Sequence, residues 1–554
     1  MAKHKSPPVS ISLNGTQRTK TGRWGVMRPL FKQKTSACST RCPGEIHIPE
    51  FIQRVQDGDI EKAWRVILED NPLPRITGRV CFHPCEESCI RQNYDQHVSI
   101  HSLERFVGDW AFEKGLNPLE GPSPNDKRVA VVGTGPAGIG CAFYLLRRGY
   151  RVSLFEAMPE MGGLLRYGIP EYRLPKRIVS EELEMVLGSA TEISKGLTVG
   201  QDLSWNELQA QYQGIFLGIG AQRPIKLELD EDNHEGVVDG LAFLQTGGEK
   251  VSFDPDQTVL IIGGGNTALD VARTVLRRKG MPLVLYRRTR EEMPAFEDQI
   301  QEAEAEGIEI RFLVSPRAII REGGRIKGLE CIKNRMSGAG ADGRREFAPL
   351  ENSAFFVPGD LIITALGQSA EVSSLPPAVM VKEETVVVAP DSCCGPQGIY
   401  AGGDVIDMPR SVIHALASGK QAALAIDLYL WNKEKYRPDV KKETSDVTIE
   451  EINLAYFEKV PREQPSILSA EKRTSSFEEV NGTLSRDAAL RESSRCFGCG
   501  NCNTCGNCYF FCPDFAVHRD AKTLKVFIDE DYCKGCCVCV EECPRGVLSA
   551  EVKK

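Results

Sequence analysis

Twenty cysteines in 554 residues are the first feature with chemical content, and they are unevenly spread. Eleven lie between Cys496 and Cys543, five between Cys38 and Cys89, and four, Cys141, Cys331, Cys393 and Cys394, stand apart. The C-terminal group contains two runs, Cys502-x2-Cys505-x2-Cys508-x3-Cys512-Pro513 and Cys533-x2-Cys536-x2-Cys539-x3-Cys543-Pro544, offset by 31 positions at every cysteine. Three thiolates so spaced wrap one iron–sulfur cube, and the fourth crosses to the other cube. Cys502, Cys505, Cys508 and Cys543 are thus expected to hold one [4Fe-4S] cluster, and Cys533, Cys536, Cys539 and Cys512 a second. Cys496 and Cys499 extend the first run backwards, but a register starting at Cys499 fails because Cys505 has no Cys-Pro at the required distance. They read as spare thiols, a small metal site or ligands at a partner interface. Cys537 reads as structural, and the four isolated cysteines as small buried hydrophobes.

Near the N-terminus, Cys38 and Cys42-Pro43 are followed by a helical stretch around Ile48 to Glu69 and then by Cys81, Cys85 and Cys89. The i+4 spacing of the last three would place them on one side of a helix or helical turn. Thiols converging from two segments suit a thiolate-held metal. Iron–sulfur is favoured over zinc, since Cys-Pro endings recur in ferredoxin-type runs.

A second kind of chemistry lies in the glycines. Arg128 to Glu156 reads as strand, Gly133-Thr-Gly135-Pro136-Ala137-Gly138 turn, helix and strand. Gly133 permits the tight turn, Gly135 lets backbone approach a pyrophosphate, and Gly138 lets helix and strand pack closely. The first helical turn then offers its amides to phosphate, and Glu156 stands where a carboxylate accepts ribose hydroxyls. A second unit begins at Thr258, with Gly263, Gly265, Asn266, Thr267 and the small Ala268, and its next strand ends in Arg287-Arg288. Arginine at that strand end suits a 2′-phosphate, where a carboxylate would suit a 2′-hydroxyl. NADP(H) is therefore favoured, with NAD(H) as the alternative if the two arginines face solvent or grip the pyrophosphate.

These motifs need elements to hold them. Residues 121–235 and 368–435 are expected to form a Rossmann-like flavin-binding domain, closed by Gly367, Gly403, Asp404 and a helix from Ser411-Val412 whose N-terminus points inward. Residues 236–367 form the nicotinamide domain, with a hairpin tip at Ser337–Arg345. The fold class is α/β, preceded by a helical iron–sulfur domain (37–120) and an extended arm (1–36), and followed by a connector (436–490) and an α+β ferredoxin-like domain (491–554). Apolar content of 41% with a net charge of −8 excludes a nucleic-acid bias. The absence of a long apolar run or h-region implies a cytoplasmic chain with no membrane span. His414 reads as a hydrogen-bonded core residue, and no catalytic side chain is required, because hydride transfer rests on alignment.

The succession Cys42-Pro43, IPEFI, NPLPRITGRVC81, Cys85, Cys89 resembles the N-terminal domain of the glutamate synthase small subunit and of dihydropyrimidine dehydrogenase. The loop MPEMGGLLRYGIPEYRLPK (158–176) resembles that family's flavin-contacting loop, implying contacts from Gly163, Leu164 and Arg166. The tail resembles bacterial-type 2[4Fe-4S] ferredoxins. The family's N-terminal domain carries two [4Fe-4S] clusters. One pairs Cys38 and Cys89 with an upstream Cys-x2-Cys whose positions here are Leu30 and Gln33; the other uses Cys42, Cys81, Cys85 and a Gln or Glu falling on Glu104. The resemblance thus implies one N-terminal cluster, with Cys89 or Cys38 as the rival fourth ligand. It further implies an FAD-dependent NAD(P)H oxidoreductase that feeds a ferredoxin or partner oxidoreductase, as a homo- or hetero-oligomer. The alternatives are a glutamate synthase small subunit serving a separate large subunit, and a non-catalytic electron-transfer or docking subunit.

Overall fold

The computed structural model describes residues 20–31, 34–119, 121, 123–189, 191–227, 229, 236–251, 254, 256–339, 345–396, 398–431 and 445–553. The expected hairpin tip lies partly outside these residues, although its flanking strands Arg325–Ala339 and Arg345–Pro358 pair up to Ala339 and Arg345. The start of the connector and most of the N-terminal arm also lie outside them.

The N-terminal domain is helical. The stretch from Ile48 is two amphipathic helices, Ile48–Gln56 and Ile60–Leu68, separated where Gly58 takes a positive φ of 78° and Asp59 caps the second helix through the Lys62 amide. Phe51, Val55, Trp64 and Ile67 interlock with Leu103 and Val107 of the helix Ile100–Glu113, all buried. The short helix Pro74–Val80 delivers Cys81 at its end.

The flavin-type domain has a six-stranded sheet in which Gly214–Leu217, Arg128–Val132, Arg151–Glu156 and Glu192–Lys195 are parallel neighbours. Helices Pro136–Leu146 and Val412–Leu430 cross it in close contact, because glycine removes the side chain where the backbones meet. A Cβ on Gly419 would fall 2.1 Å from the Ala137 carbonyl. The nicotinamide-type domain is a five-stranded parallel sheet, with Thr258–Ile262 between Met281–Tyr286 and Leu361–Thr364. A three-stranded antiparallel sheet packs beside it.

The two chain ends meet. Strand Met27–Phe31, within the stretch expected to be a simple arm, pairs antiparallel with Leu548–Val552, so the arm supplies an edge strand to the C-terminal domain. The connector is a strap rather than a spacer. Glu479 accepts from Arg79 (2.8 Å) and Arg105 (2.9 Å) of the helical domain, the Val480 amide donates to the Tyr172 carbonyl (2.9 Å), and Asn481 donates to Glu302 (3.0 Å) of the nicotinamide domain. Three domains are thereby tied by one segment. Among the described residues no helix is long and apolar enough to cross a membrane.

Candidate active site and metal centres

A cavity of about 480 Å³ runs along the top of the flavin-type sheet. Its floor is the first glycine turn, where Gly133 has a φ of 97° and any Cβ would meet the Gly218 carbonyl at 2.4 Å. A Cβ on Gly138 would lie 1.9 Å from the Gly133 carbonyl, so this glycine serves packing. By contrast, a Cβ on Gly135 meets nothing within 4 Å, because it would project into open space. The helix Pro136–Leu146 begins there with no side-chain cap, leaving its first amides for a ligand.

Glu156 is buried in the same wall; one oxygen accepts from Thr134, through amide (3.0 Å) and hydroxyl, and the other from the Met158 amide (2.8 Å). Gly163, Leu164, Gly403, Asp404, Ser411 and Val412 also line the cavity. Burial pushes the Asp404 carboxyl up, with Arg410 opposing. Ser411 caps the helix Val412–Leu430 by accepting from the His414 amide, and its hydroxyl meets His414 Nδ1 at 2.8 Å. The His414 ring lies nearly parallel to Phe82, and burial lowers its pKa, which keeps it neutral. These surfaces match what a flavin dinucleotide needs: a glycine cradle, the uncapped N-terminus of the helix Pro136–Leu146 and carboxylates in the cavity wall.

Arg166 is not among the lining residues; its guanidinium donates to the Met161 carbonyl (2.8 Å) and Ser180 (2.5 Å), so it holds the loop instead. Gly367, at a φ of 113°, turns the chain so that Gln368 faces the cavity. Asn266 and Thr267 close the cavity from the nicotinamide side, while Gly263 and Gly265 shape the turn behind them. The two arginines separate: Arg287 is exposed with its guanidinium 5.1 Å from the Phe347 ring, whereas Arg288 is only 8% exposed. A shared interface fixes the domains, since Arg173 pairs with the buried Asp270 at 2.6 Å.

All twenty cysteines are free. Cys42, Cys81, Cys85 and Glu104 line one small cavity of about 20 Å³. Glu104 accepts from Asn71 (2.6 Å) and Thr77, and burial raises its carboxyl to about 7. Cys81 also lines the large flavin-type cavity, so the two sites share a wall. Cys38 and Cys89, expected as rival fourth ligands here, are instead in a separate cavity. The i+4 reading fails because the first helix stops at Val80, His83 adopts a left-handed conformation (φ 39°), and the next helix, Pro84–Glu87, ends before Cys89.

In the C-terminal domain, Cys502, Cys505, Cys508 and Cys543 line one cavity of about 30 Å³. Cys512 and Cys536 lie close enough to Cys533 to push its thiol up beyond the effect of burial, and Cys539 is raised to about 12 by burial and then by Cys533, Cys508 and Cys536. Each run therefore contributes to both groups, the interleaving that two cubes require. The hairpin Val517–Arg519 with Val526–Ile528 separates the runs.

One cluster was not legible in the motifs. His83, Glu86 and His101 bring ligand atoms within 4.8 Å of one another. Glu86 is fully enclosed; burial would raise its carboxyl, but His101, His97 and His83 outweigh that and hold it well below the usual range. Arg462 of the strap adds an ion pair at 2.5 Å, and His83 reaches Asp298 at 3.1 Å. The group reads as a charge-compensated junction between the helical domain, the nicotinamide domain and the strap.

Comparison with known proteins agrees with this layout. The pyridine nucleotide-disulphide oxidoreductase family matches residues 127–419, the dihydropyrimidine dehydrogenase domain II 4Fe-4S family matches residues 30–116, and the 4Fe-4S binding domain family matches residues 526–549. The NADP(+)-dependent formate dehydrogenase subunit beta of Moorella thermoacetica is 34% identical over 508 residues, covering 84% of this chain and 70% of the relative. The NADPH-Fe(3+) oxidoreductase subunit beta of Geobacter sulfurreducens is 31% identical over 525 residues, covering 86% and 77%. The glutamate synthase [NADPH] small chain of Escherichia coli is 32% identical over 410 residues, covering 70% and 87%. With a glycine-cradled nucleotide cavity that shares a wall with a cysteine-lined cluster site, the chain belongs to the pyridine nucleotide-disulphide oxidoreductase family, in its flavin and iron–sulfur branch related to the glutamate synthase small chain.

Proposed function

We propose that the chain is the electron-input component of an NADPH-dependent oxidoreductase, passing electrons from NADPH through FAD and [4Fe-4S] clusters to a one-electron acceptor, a ferredoxin or a partner oxidoreductase subunit. Bound flavin supplies the conversion between hydride, a two-electron donor, and clusters, which take single electrons. The observation that carries this reading is Cys81, which walls both the flavin-type cavity and the Cys42/Cys85/Glu104 cavity. Asn266 and Thr267 bring the nicotinamide domain to the same cavity, where alignment rather than acid–base chemistry governs hydride transfer.

Three further features support the finer assignments. The exposed Arg287 at the strand end suits a 2′-phosphate, in keeping with the NADP-linked names of the relatives. Those relatives are named as subunits, which favours a protein partner. Beside Cys508 and Cys512, the aromatic residues Tyr509, Phe510 (68% exposed), Phe511 and Phe515 (78% exposed) form an apolar surface of the kind that marks a docking face. Anaerobic titration of the purified protein with NADPH and NADH separately, following flavin bleaching and reduced-cluster EPR, tests the proposal. Bleaching and cluster signals at lower NADPH than NADH are expected; an unbleached flavin refutes it.

A further inference from the structure

The cavity that receives Cys38 and Cys89 also receives Cys496 and Cys499, from the other end of the chain. We propose that these four cysteines hold an additional [4Fe-4S] cluster, split between the helical domain and the segment that enters the ferredoxin-like domain.

The cavity itself has the character of a cluster site. Its volume, about 20 Å³, matches the 20 Å³ and 30 Å³ of the two other cysteine-lined cavities. Apart from the four thiols it is walled mainly by Ile48, Ile52, Val98, Ile100 and Phe497, a dry surround that suits a thiolate-bound cube. A single zinc ion would draw its thiolates to roughly 3.8 Å apart, given Zn–S bonds of about 2.3 Å in a tetrahedron. Among the described residues no three cysteine sulfurs lie within 4.8 Å of one another, a spacing wider than zinc thiolates take and compatible with a cube.

The fold also spends specific contacts on bringing the late pair here. Arg495, beside Cys496 and 2% exposed, donates to the Gln96 carbonyl (2.6 Å), the His97 carbonyl (3.2 Å), Glu492 (2.7 Å) and Asp95 (3.1 Å). Arg91 grips Asp95 with both arms (2.8 and 2.6 Å) and donates to the Arg495 carbonyl. A spare pair of thiols would need no such anchoring.

The position completes a path. Ile48 and Ile100 line both this cavity and the Cys42/Cys81/Cys85 cavity. On the other side, Arg545 packs against Gly498, accepts the Gly500 amide on its carbonyl at 2.8 Å, and lines the Cys502/Cys505/Cys508/Cys543 cavity. The centre would take up and release one electron per transfer, with no bond made or broken and no proton moved. This relay role rests on the proposed function, whereas the metal site does not.

The test is a metal count on full-length protein purified anaerobically. With four clusters the wild type carries about sixteen irons and as many acid-labile sulfides per chain, and Cys496→Ala/Cys499→Ala carries about twelve. Cys38→Ala/Cys89→Ala should show the same loss, and the quadruple variant no more than either pair, while flavin content is retained. Unchanged iron in the double variants, additive losses, or one zinc per chain in the wild type would each overturn the proposal. If the variants fail to fold, the wild-type count decides: about sixteen irons without zinc supports the fourth site, and about twelve removes it. Because the count does not depend on NADPH, its failure is separable from failure of the electron path.

Discussion

Replacing Arg287 by alanine should cost NADPH affinity and leave NADH affinity nearly unchanged, whereas Arg288→Ala should act through folding. The sequence offers two adjacent arginines as equals; the structure separates them, with Arg287 exposed over Phe347 and Arg288 packed at 8% exposure. A charge-assisted bidentate contact to a phosphate contributes about 1.5–3 kcal/mol. Solvent screening at an exposed site reduces this to about 1–2 kcal/mol, or roughly 5- to 30-fold in Kd. The assay is anaerobic stopped-flow reduction of the flavin, with the apparent Kd of each coenzyme taken from the concentration dependence of the bleaching rate. Arg287→Ala should raise the Kd for NADPH by that factor and shift the Kd for NADH less than about twofold. Equal losses for both coenzymes, or a selective loss in a folded Arg288→Ala, would refute the reasoning.

Other consequences follow from particular contacts. Gly135→Val should yield a folded chain lacking flavin absorbance, since its side chain enters open cavity, whereas Gly138→Val should lower soluble yield because its Cβ lies 1.9 Å from the Gly133 carbonyl. Glu182, fully buried, accepts from the Arg75 and Ile76 amides at 2.8 Å and so caps the helix that ends at Cys81. Glu182→Ala should destabilise by about 3–5 kcal/mol, seen as a lower urea midpoint for loss of cluster absorbance, and a change under about 0.5 kcal/mol would contradict the capping role. Burial raises the Asp95 carboxyl, but Arg91, the Gln96 amide and Arg495 outweigh it and hold the carboxyl at about 2. Its contribution, about 1–2 kcal/mol after solvent screening, is therefore present above about pH 4 and lost as pH falls towards 2. Asp95→Asn should accordingly make residues 485–500 sensitive to protease already at pH 7, and a resistant variant would count against the anchoring network.

The glycine turns and the two C-terminal cysteine runs were readable in advance because each acts through local spacing: a strand, a turn and a helix start, or thiolates wrapped by one short segment. What was hidden depends on contacts between distant residues. No local pattern announces that Cys496 and Cys499 reach Cys38 and Cys89, or that Met27–Phe31 pairs with Leu548–Val552. The left-handed His83 separates Cys81 from Cys85, the short helix Pro84–Glu87 ends before Cys89, and a histidine at that φ is not signalled by composition. The loop 158–176 lines the cavity, and the guanidinium of Arg166 ties it to Met161 and Ser180, a contact that no local pattern signals. The strap from residue 445 onwards, polar and weakly periodic, gave no sign that its ion pairs and hydrogen bonds reach three domains.

In the proposed function, electrons cross the wall at Cys81 from flavin to clusters within this one chain. Rapid freeze-quench EPR after mixing the isolated protein with one equivalent of NADPH measures that crossing directly. Flavin bleaching is expected first, with reduced-cluster signals rising as the flavin reoxidises and no acceptor added. A flavin that stays reduced while the clusters remain silent would contradict it.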